Sequence, residues 1–205
     1  GTGEIRPPRD VSAKAADIII QIKPRKDFEA LWTLRALARG IELDAELVEQ
    51  ETGTPLAQWQ ASYDATSASH PWLVKVVDDV IVGFAKASPW KGRCAYTHSV
   101  EVTVYVHPDH HRRGHGRALY AALLPILERQ GYRSIVAGIT LPNEASVELH
   151  ESFGFKRTAT FERIGHKFDR WHDVGYWMLH YGSRDAGPGS IRAVAAAAPE
   201  CGVSV

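Results

Sequence analysis

The chain lacks what a disulfide scaffold, a metal cluster or a membrane span would need. Only two of its 205 residues are cysteine. These are Cys94 and Cys201, far apart, which excludes a disulfide framework and a cysteine zinc cluster and suits a reducing cytoplasm. No apolar run approaches the roughly 20 residues of a membrane crossing. Neither sign of charge is in surplus: Lys plus Arg is 24 and Asp plus Glu is 24. That balance argues against a protein that coats nucleic acid, whose phosphate contacts need a basic excess, though it leaves room for one local basic patch. There is no internal repeat. The N-terminus has no charged-then-apolar signal pattern. The one methionine is Met178 and the chain opens on Gly1-Thr2-Gly3, so the natural start is expected to be missing or replaced.

What is present reads as one globular domain with tails. The chain is 44% hydrophobic and 23% charged, in the ordinary globular range. Residues 1–16 carry Pro, Arg and Lys without an apolar period and read as an N-terminal tail. Residues 182–205 carry Gly, Pro, Ser and an alanine run, and read as a weakly ordered C-terminal tail. The domain is expected over 17–181.

Within it the periodicity alternates. Ile18 to Ile22 is a β-branched run and predicts a strand. Asp27 can cap a helix bearing Phe28, Leu31, Leu34 and Leu37, and a second helix is expected from Pro55 through Trp59 to Tyr63. Two apolar runs flank Asp78-Asp79 and predict a hairpin. From His98 to Val106, valines 100, 102, 104 and 106 share one face, and Glu101, Thr103 and Tyr105 the other. A helix over Gly116 to Gln130 has Leu119, Leu123, Ile126 and Leu127 as its stripe, Pro125 as a misfit and Gly131 as its end. A strand (Ser134–Leu141), a helix (Asn143–Phe153) and a last strand (Val174–Tyr181) complete a mixed α/β layer fold.

The stretch from Val104 to Arg117 carries the chemistry. A valine strand runs into a turn with Gly114 and Gly116, and a helix starts there. Glycine lets the backbone approach a ligand closely. The first-turn amides of a helix lack internal partners, so with the helix dipole they form an anion site suited to a pyrophosphate. Arg112, Arg113 and Arg117 add positive charge. Taken alone, the turn reads equally well as a solvated basic loop. Glu101 alone reads as a strand carboxylate on a wet face, and His150 as a packed helix histidine.

The valine strand, the Gly-x-Gly turn, and the later helix opened by Asn143 and closed by Phe153-Gly154-Phe155 together resemble the GNAT superfamily of acyl-CoA-dependent N-acyltransferases. Pro71-Trp72-Leu73-Val74, Pro89-Trp90-Lys91, Leu141-Pro142-Asn143 and Trp171-His172-Asp173-Val174-Gly175 are similar to one branch, the phosphinothricin and methionine sulfoximine N-acetyltransferases. The likeness spans about residues 18–181. It implies a single domain with splayed central strands and acetyl-CoA as cosubstrate. The coenzyme would lie along Val104, Tyr105 and Val106, its pyrophosphate would sit on Arg112, Arg113, Gly114, His115, Gly116 and Arg117, and its pantetheine would meet Asn143. The resemblance also implies Glu101 as general base, His150 as an acid–base residue, an oxyanion donor in the backbone near Tyr105, and Lys91, Arg93, Tyr96 and Thr103 around the substrate. A homodimer is the branch's usual form, with the pocket near the interface, and Trp171, Tyr176 and Trp177 fit either that interface or the core.

The sequence departs from the pattern twice. His111 replaces the usual Gln or Arg of the turn, which implies weaker or pH-dependent coenzyme binding. Glu46 to Glu51, with three glutamates and no aromatic, stands where the branch carries an aromatic substrate contact. An anionic head would be repelled there, which favours a sulfone, a sulfoximine or another amine. Other readings stay open: a polyamine, another amino acid or a peptide N-terminus as acceptor, or a non-catalytic acyl-CoA sensor. His107, His110, His111 and His115 invite a metal, but they lie within the phosphate turn and lack an evident orienting shell, so no metal is expected.

Overall fold

The valines of the central strand organise the sheet around them. In the computed structural model, which describes residues 18–20, 56–78, 80–167, 169–183, 185 and 187–201, that strand is β4 (Ser99–Val106). The other strands are β1 (Ile18–Ile20), β2 (Trp72–Val77), β3 (Val80–Pro89), β5 (Ser134–Leu141), β6 (Lys156–Lys167) and β7 (Arg170–His180). They form one seven-stranded sheet in the order β1-β2-β3-β4-β5-β7-β6. Neighbours run antiparallel except β4 and β5, which are parallel. The helices among the described residues are α1 (Leu56–Thr66), α2 (His115–Gln130), α3 (Glu144–Ser152) and a short α4 (Val194–Ala197). None is long and apolar enough to cross a membrane.

The alternation of β4 is realised in its burial. Val100 and Val102 are sealed in the core, whereas Tyr105 on the other face is exposed and stacks on Phe84 of β3. Across the core, the stripe of α2 meets them, with Leu119, Leu123, Ile126 and Leu127 fully buried. Gly131, at φ 99°, ends α2 in the left-handed region that favours glycine. Pro125 lies on the exposed side of the helix. The expected hairpin forms, with Val77 opposite Val80 and Asp78 at φ 50°.

Two expectations change. The last strand was to follow α3 directly, but β6 intervenes and makes β6–β7 the sheet's final hairpin. And residues 187–201, within the predicted C-terminal tail, pack as part of the domain. Val194, Ala197 and Ala198 are fully buried in the main core. Gln130, fully buried at the end of α2, donates from Nε2 to the carbonyls of Ser69 and Arg192, each at 2.8 Å. Glu200 accepts from Arg192 and Arg129 at the surface. An alanine run with no polar face needs an apolar surface to settle on, and α2 provides one. The expected N-terminal tail, the Asp27 helix and the Glu46–Glu51 segment lie outside the described residues.

Candidate active site

The two parallel strands separate, and the site lies where they do. β4 and β5 pair over Ser99, Val100 and Glu101, opposite Ser134, Ile135 and Val136, and not beyond. β4 continues to Val106 against β3, while β5 continues to Leu141 against β7. A cavity of about 520 Å³ occupies the opening. Its walls include Glu101, Thr103, Val104 and Tyr105 from β4, Gly138 from β5, Asn143, Tyr120 and His150.

Glu101 is the last residue of β4 to pair before the gap. A Cβ placed on Gly138 would lie 3.3 Å from the Tyr176 ring and 3.4 Å from Glu101 Oε1, so Gly138 sits directly beside the carboxylate and the tyrosine. The carboxyl is half-buried. Desolvation raises its pKa above the usual glutamate value, while the nearby Lys91 and then Lys86 pull it back. A half-buried carboxylate with a raised pKa, facing a cavity, is equipped to take a proton.

His150 is also at the cavity wall but is 3% exposed. Its Nε2 is 2.8 Å from the Tyr120 hydroxyl and its Nδ1 is 2.7 Å from the Ser146 carbonyl. Phe155 packs edge-on against its ring. Burial lowers the pKa of the imidazole, partly offset by its bond to the Ser146 carbonyl, and raises that of Tyr120 far above the phenol range. The sequence pointed to His150 and missed Tyr120, which sits in the Leu-rich register of α2 and looks like one more core residue.

The turn before α2 has the form an anion needs. Gly114 is the N-cap of α2 at φ 81°, and Arg112 is left-handed at φ 59°. A Cβ on Gly114 would meet nothing within 4 Å, so the conformation, and not crowding, requires glycine there. His111 donates from Nε2 to the Val106 carbonyl at 2.8 Å, pinning the loop to the end of β4. Arg112, Arg113 and Arg117 are exposed around it. Val104, Tyr105 and Asn143 reach the cavity; Val106 and the turn lie beyond its walls. Asn143 accepts the Ser146 amide on Oδ1 at 3.1 Å and so caps α3. Replacing Asn143 by Ala is expected to cost about 1 kcal/mol of stability, measurable by thermal or denaturant unfolding. Replacement by Asp, which keeps the cap but loses the amide donor, isolates any part of Asn143 in ligand binding.

The expected substrate residues divide. Thr103 faces the cavity, while Lys91, Arg93 and Tyr96 are exposed and not among its walls. They sit on the surface segment between β3 and β4, whose 3-10 turn at Cys94–Tyr96 buries no residue. In their place the β6–β7 hairpin brings Gly165, His166, Arg170 and His172 to the cavity, with Arg170 Nε 3.3 Å from His172 Nε2. His172 stands in the Trp171-His172-Asp173 segment that the family likeness already marks, but the sequence held no clear signal for Gly165, His166 or Arg170 at the cavity. Of the three aromatics left open, Trp177 is core, bonded through Nε1 to Glu151. Tyr176 is half-buried between Trp90 and Phe161, and Trp171 is 61% exposed. The rings of His107, His110 and His115 lie in series near the turn, the first pair edge-on at 5.8 Å and the second tilted at 5.9 Å. Among the described residues no group of three or more His, Cys, Asp or Glu is placed to hold a metal.

A sheet parted between parallel strands, with a glycine turn at one end of the gap and a half-buried carboxylate at the other, has the form expected of an acyl-coenzyme A-dependent N-acyltransferase. Comparison gives the family. The acetyltransferase (GNAT) family matches residues 31–155, and the chain belongs to it. A phosphinothricin N-acetyltransferase of Streptomyces viridochromogenes is 38% identical over 162 residues, 79% of this chain and 88% of the relative. An L-methionine sulfoximine/L-methionine sulfone acetyltransferase of Salmonella typhimurium is 39% identical over 110 residues, 54% of this chain and 64% of the relative. An acetyltransferase from Salmonella typhimurium, solved with its cofactor acetyl-CoA, superposes with a TM-score of 0.58 at 36% identity, covering 64% of this chain and 75% of that one. The protein is an N-acetyltransferase whose cosubstrate is acetyl-CoA.

Proposed function

We propose that the enzyme acetylates the amine of a small amino acid analogue, such as phosphinothricin, methionine sulfoximine or methionine sulfone, with Glu101 as general base. The observation that carries this reading is the position of Glu101: half-buried where β4 and β5 part, on the same cavity as Val104, Tyr105 and Asn143. Acetyl-CoA supplies an activated carbonyl and a thiolate leaving group. The exposed edge of β4 from Val104 to Val106 can hold its pantetheine by backbone bonds, Asn143 can reach the same arm, and the amides from Arg112 to Arg117 can hold its pyrophosphate. A backbone amide near Tyr105 is the donor for the developing oxyanion. An acceptor arrives as an ammonium and cannot attack until Glu101, directly or through one water, removes a proton. Thr103, His166, Arg170 and His172 then face the remainder of the acceptor, and their polar and cationic character suits a carboxylate or a polar tetrahedral head.

The same reading gives a homodimer, a cytoplasmic location and a part in detoxification. Sedimentation of the purified chain checks the first. The activity is tested by thiol release from acetyl-CoA with phosphinothricin, methionine sulfoximine, methionine sulfone and a polyamine as acceptors. Turnover is expected with an amino acid analogue and not with the polyamine. Coenzyme binding without turnover on any acceptor would favour a sensor that has kept the fold.

A further inference from the structure

We propose that Arg170 anchors the carboxylate of the acceptor, so that the enzyme selects free α-amino acids over amines with no carboxylate beside them. This role rests on acetylation taking place in the cavity with Glu101 as base. The charges on the cavity walls point to it. Among the described residues lining the cavity, Glu101 is the one carboxylate and Arg170 the one lysine or arginine. An α-amino acid is a zwitterion whose ammonium and carboxylate sit on the same carbon. A wall anion and a wall cation complement it, with the ammonium toward Glu101 and the carboxylate toward Arg170.

The β6–β7 hairpin is built to bring Arg170 there. β5 ends at Leu141, opposite Asp173, so Arg170 and His172 lie on the part of β7 that runs past it with β6 as its partner. The hairpin register shifts just above them. Phe161 stands opposite Val174 and Gly165 opposite His172, which sets Glu162, Arg163 and Ile164 against Asp173. Asp173 Oδ1 accepts the Arg163 amide at 2.8 Å, and Arg163 is left-handed at φ 49°. A bulge of this kind bends a strand pair and re-aims its side chains. Beyond it, Gly165, Arg170 and His172 all reach the cavity, and Asp173 does not.

Arg170 and His172 are two apart on β7 and share one face. A guanidinium has no acceptor, so the 3.3 Å contact runs from Arg170 Nε to a lone pair on His172 Nε2. That bond steadies the guanidinium by its Nε. The two Nη groups make no bond among the described residues, and this is the edge that takes a carboxylate. The lysines near Glu101 are placed otherwise. Lys86 stands over the Trp72 ring at 4.3 Å and Lys91 over the Trp90 ring at 4.7 Å, and neither lines the cavity. The same charges reject two kinds of acceptor. A second ammonium on a polyamine would face the guanidinium, and like charges repel. A peptide N-terminus carries a peptide bond where Arg170 calls for a carboxylate.

The test compares methionine sulfone, whose carboxylate is its single negative charge, with its α-carboxamide at saturating acetyl-CoA. The amine of the carboxamide loses its proton more readily, so a preference for the free acid reports recognition of the carboxylate and not ease of deprotonation. Wild type is expected to favour the free acid by at least about 10-fold in kcat/KM. Arg170→Gln should raise the KM for the free acid about 10- to 100-fold, the loss of a charge-assisted pair, with kcat changed less than about threefold. Turnover of the carboxamide should be unchanged in that variant, which also shows that the fold and the base are intact. Arg170→Lys keeps the charge without the fork and should restore part of the preference. Equal use of both acceptors by wild type would overturn the proposal, and so would an equal loss on both in Arg170→Gln. If wild type acetylates neither, the proposed acceptor class falls, and calorimetry of the free acid binding to enzyme loaded with acetyl-CoA then decides Arg170. Binding to wild type that weakens in Arg170→Gln keeps the anchor; no binding, or equal binding to both, removes it.

Discussion

Glu101→Gln is expected to lower kcat/KM by about 10²- to 10⁴-fold, the usual contribution of a positioned base and equal to roughly 3–5 kcal/mol of barrier. The amide is isosteric with the carboxylate, so it preserves the fit beside Gly138 and removes only the ability to accept a proton. Acetyl-CoA affinity should hold, because the turn proposed to take its pyrophosphate lies at the other end of β4, past Val106. Titration calorimetry of coenzyme binding separates the two effects. A variant that retains activity within a few-fold would remove Glu101 from the mechanism. The pH profile gives a second handle. The base must be ionised, and burial raises its pKa, so the acid limb of kcat/KM should lie above the ordinary glutamate range. Lys91 and Lys86 favour the ionised form and partly offset that rise. Lys86→Met removes one of these charges, so it should move the acid limb to higher pH. A shift to lower pH would contradict the assignment.

The sequence made legible those elements whose burial follows a period. β4 alternates, α2 carries a stripe, and both come out as expected because one face of each is core and the other is not. β6 was invisible for the opposite reason. It is an edge strand with a single neighbour, Lys156 to Ile164 are all exposed, and Lys156, Arg157, Glu162 and Arg163 interrupt any apolar alternation. Charge on an edge is how a sheet avoids adding another strand, and it also erases the pattern by which strands are found. With β6 went the hairpin tip, and so His166 and Arg170 were not seen at the cavity, whereas His172 stood in the Trp171-His172-Asp173 motif of the family likeness. Glu101 was legible only through its family likeness, since a glutamate on the wet face of a strand carries no signal of its own. What singles it out physically is that strand pairing stops beside it, a fact of tertiary structure that no local pattern contains.

Ending the chain at Gly189 is expected to lower the thermal midpoint by about 6–12 °C, equivalent to about 3 kcal/mol for a domain of this size. Composition alone would assign this segment no role, since Gly, Pro and Ala without a period bury nothing in particular. The packing assigns it one. Val194, Ala197 and Ala198 fill a surface formed by α2, and a valine fully buried contributes about 1.5–3 kcal/mol by area alone. Truncation also takes the Arg192 carbonyl from the buried Gln130 amide, and leaving a buried donor short of a partner costs about 1–3 kcal/mol. Against these stands the ordering of a dozen residues, which the shortened chain no longer bears, so the net is smaller than the sum. The surface pairs of Glu200 with Arg192 and Arg129 are exposed and contribute little. The midpoint is read by calorimetry or by tryptophan fluorescence, and Val194→Ala, a smaller change at the same place, should move it in the same direction. The site should survive: Glu101, Tyr120 and His150 lie on elements held by the sheet, and among the described residues the side-chain bonds of Tyr120 and His150 run to each other and to Ser146. Truncated enzyme with the same midpoint as the full chain would show that the segment only rests on the domain. A lowered midpoint with activity retained at low temperature would show that it is part of the core.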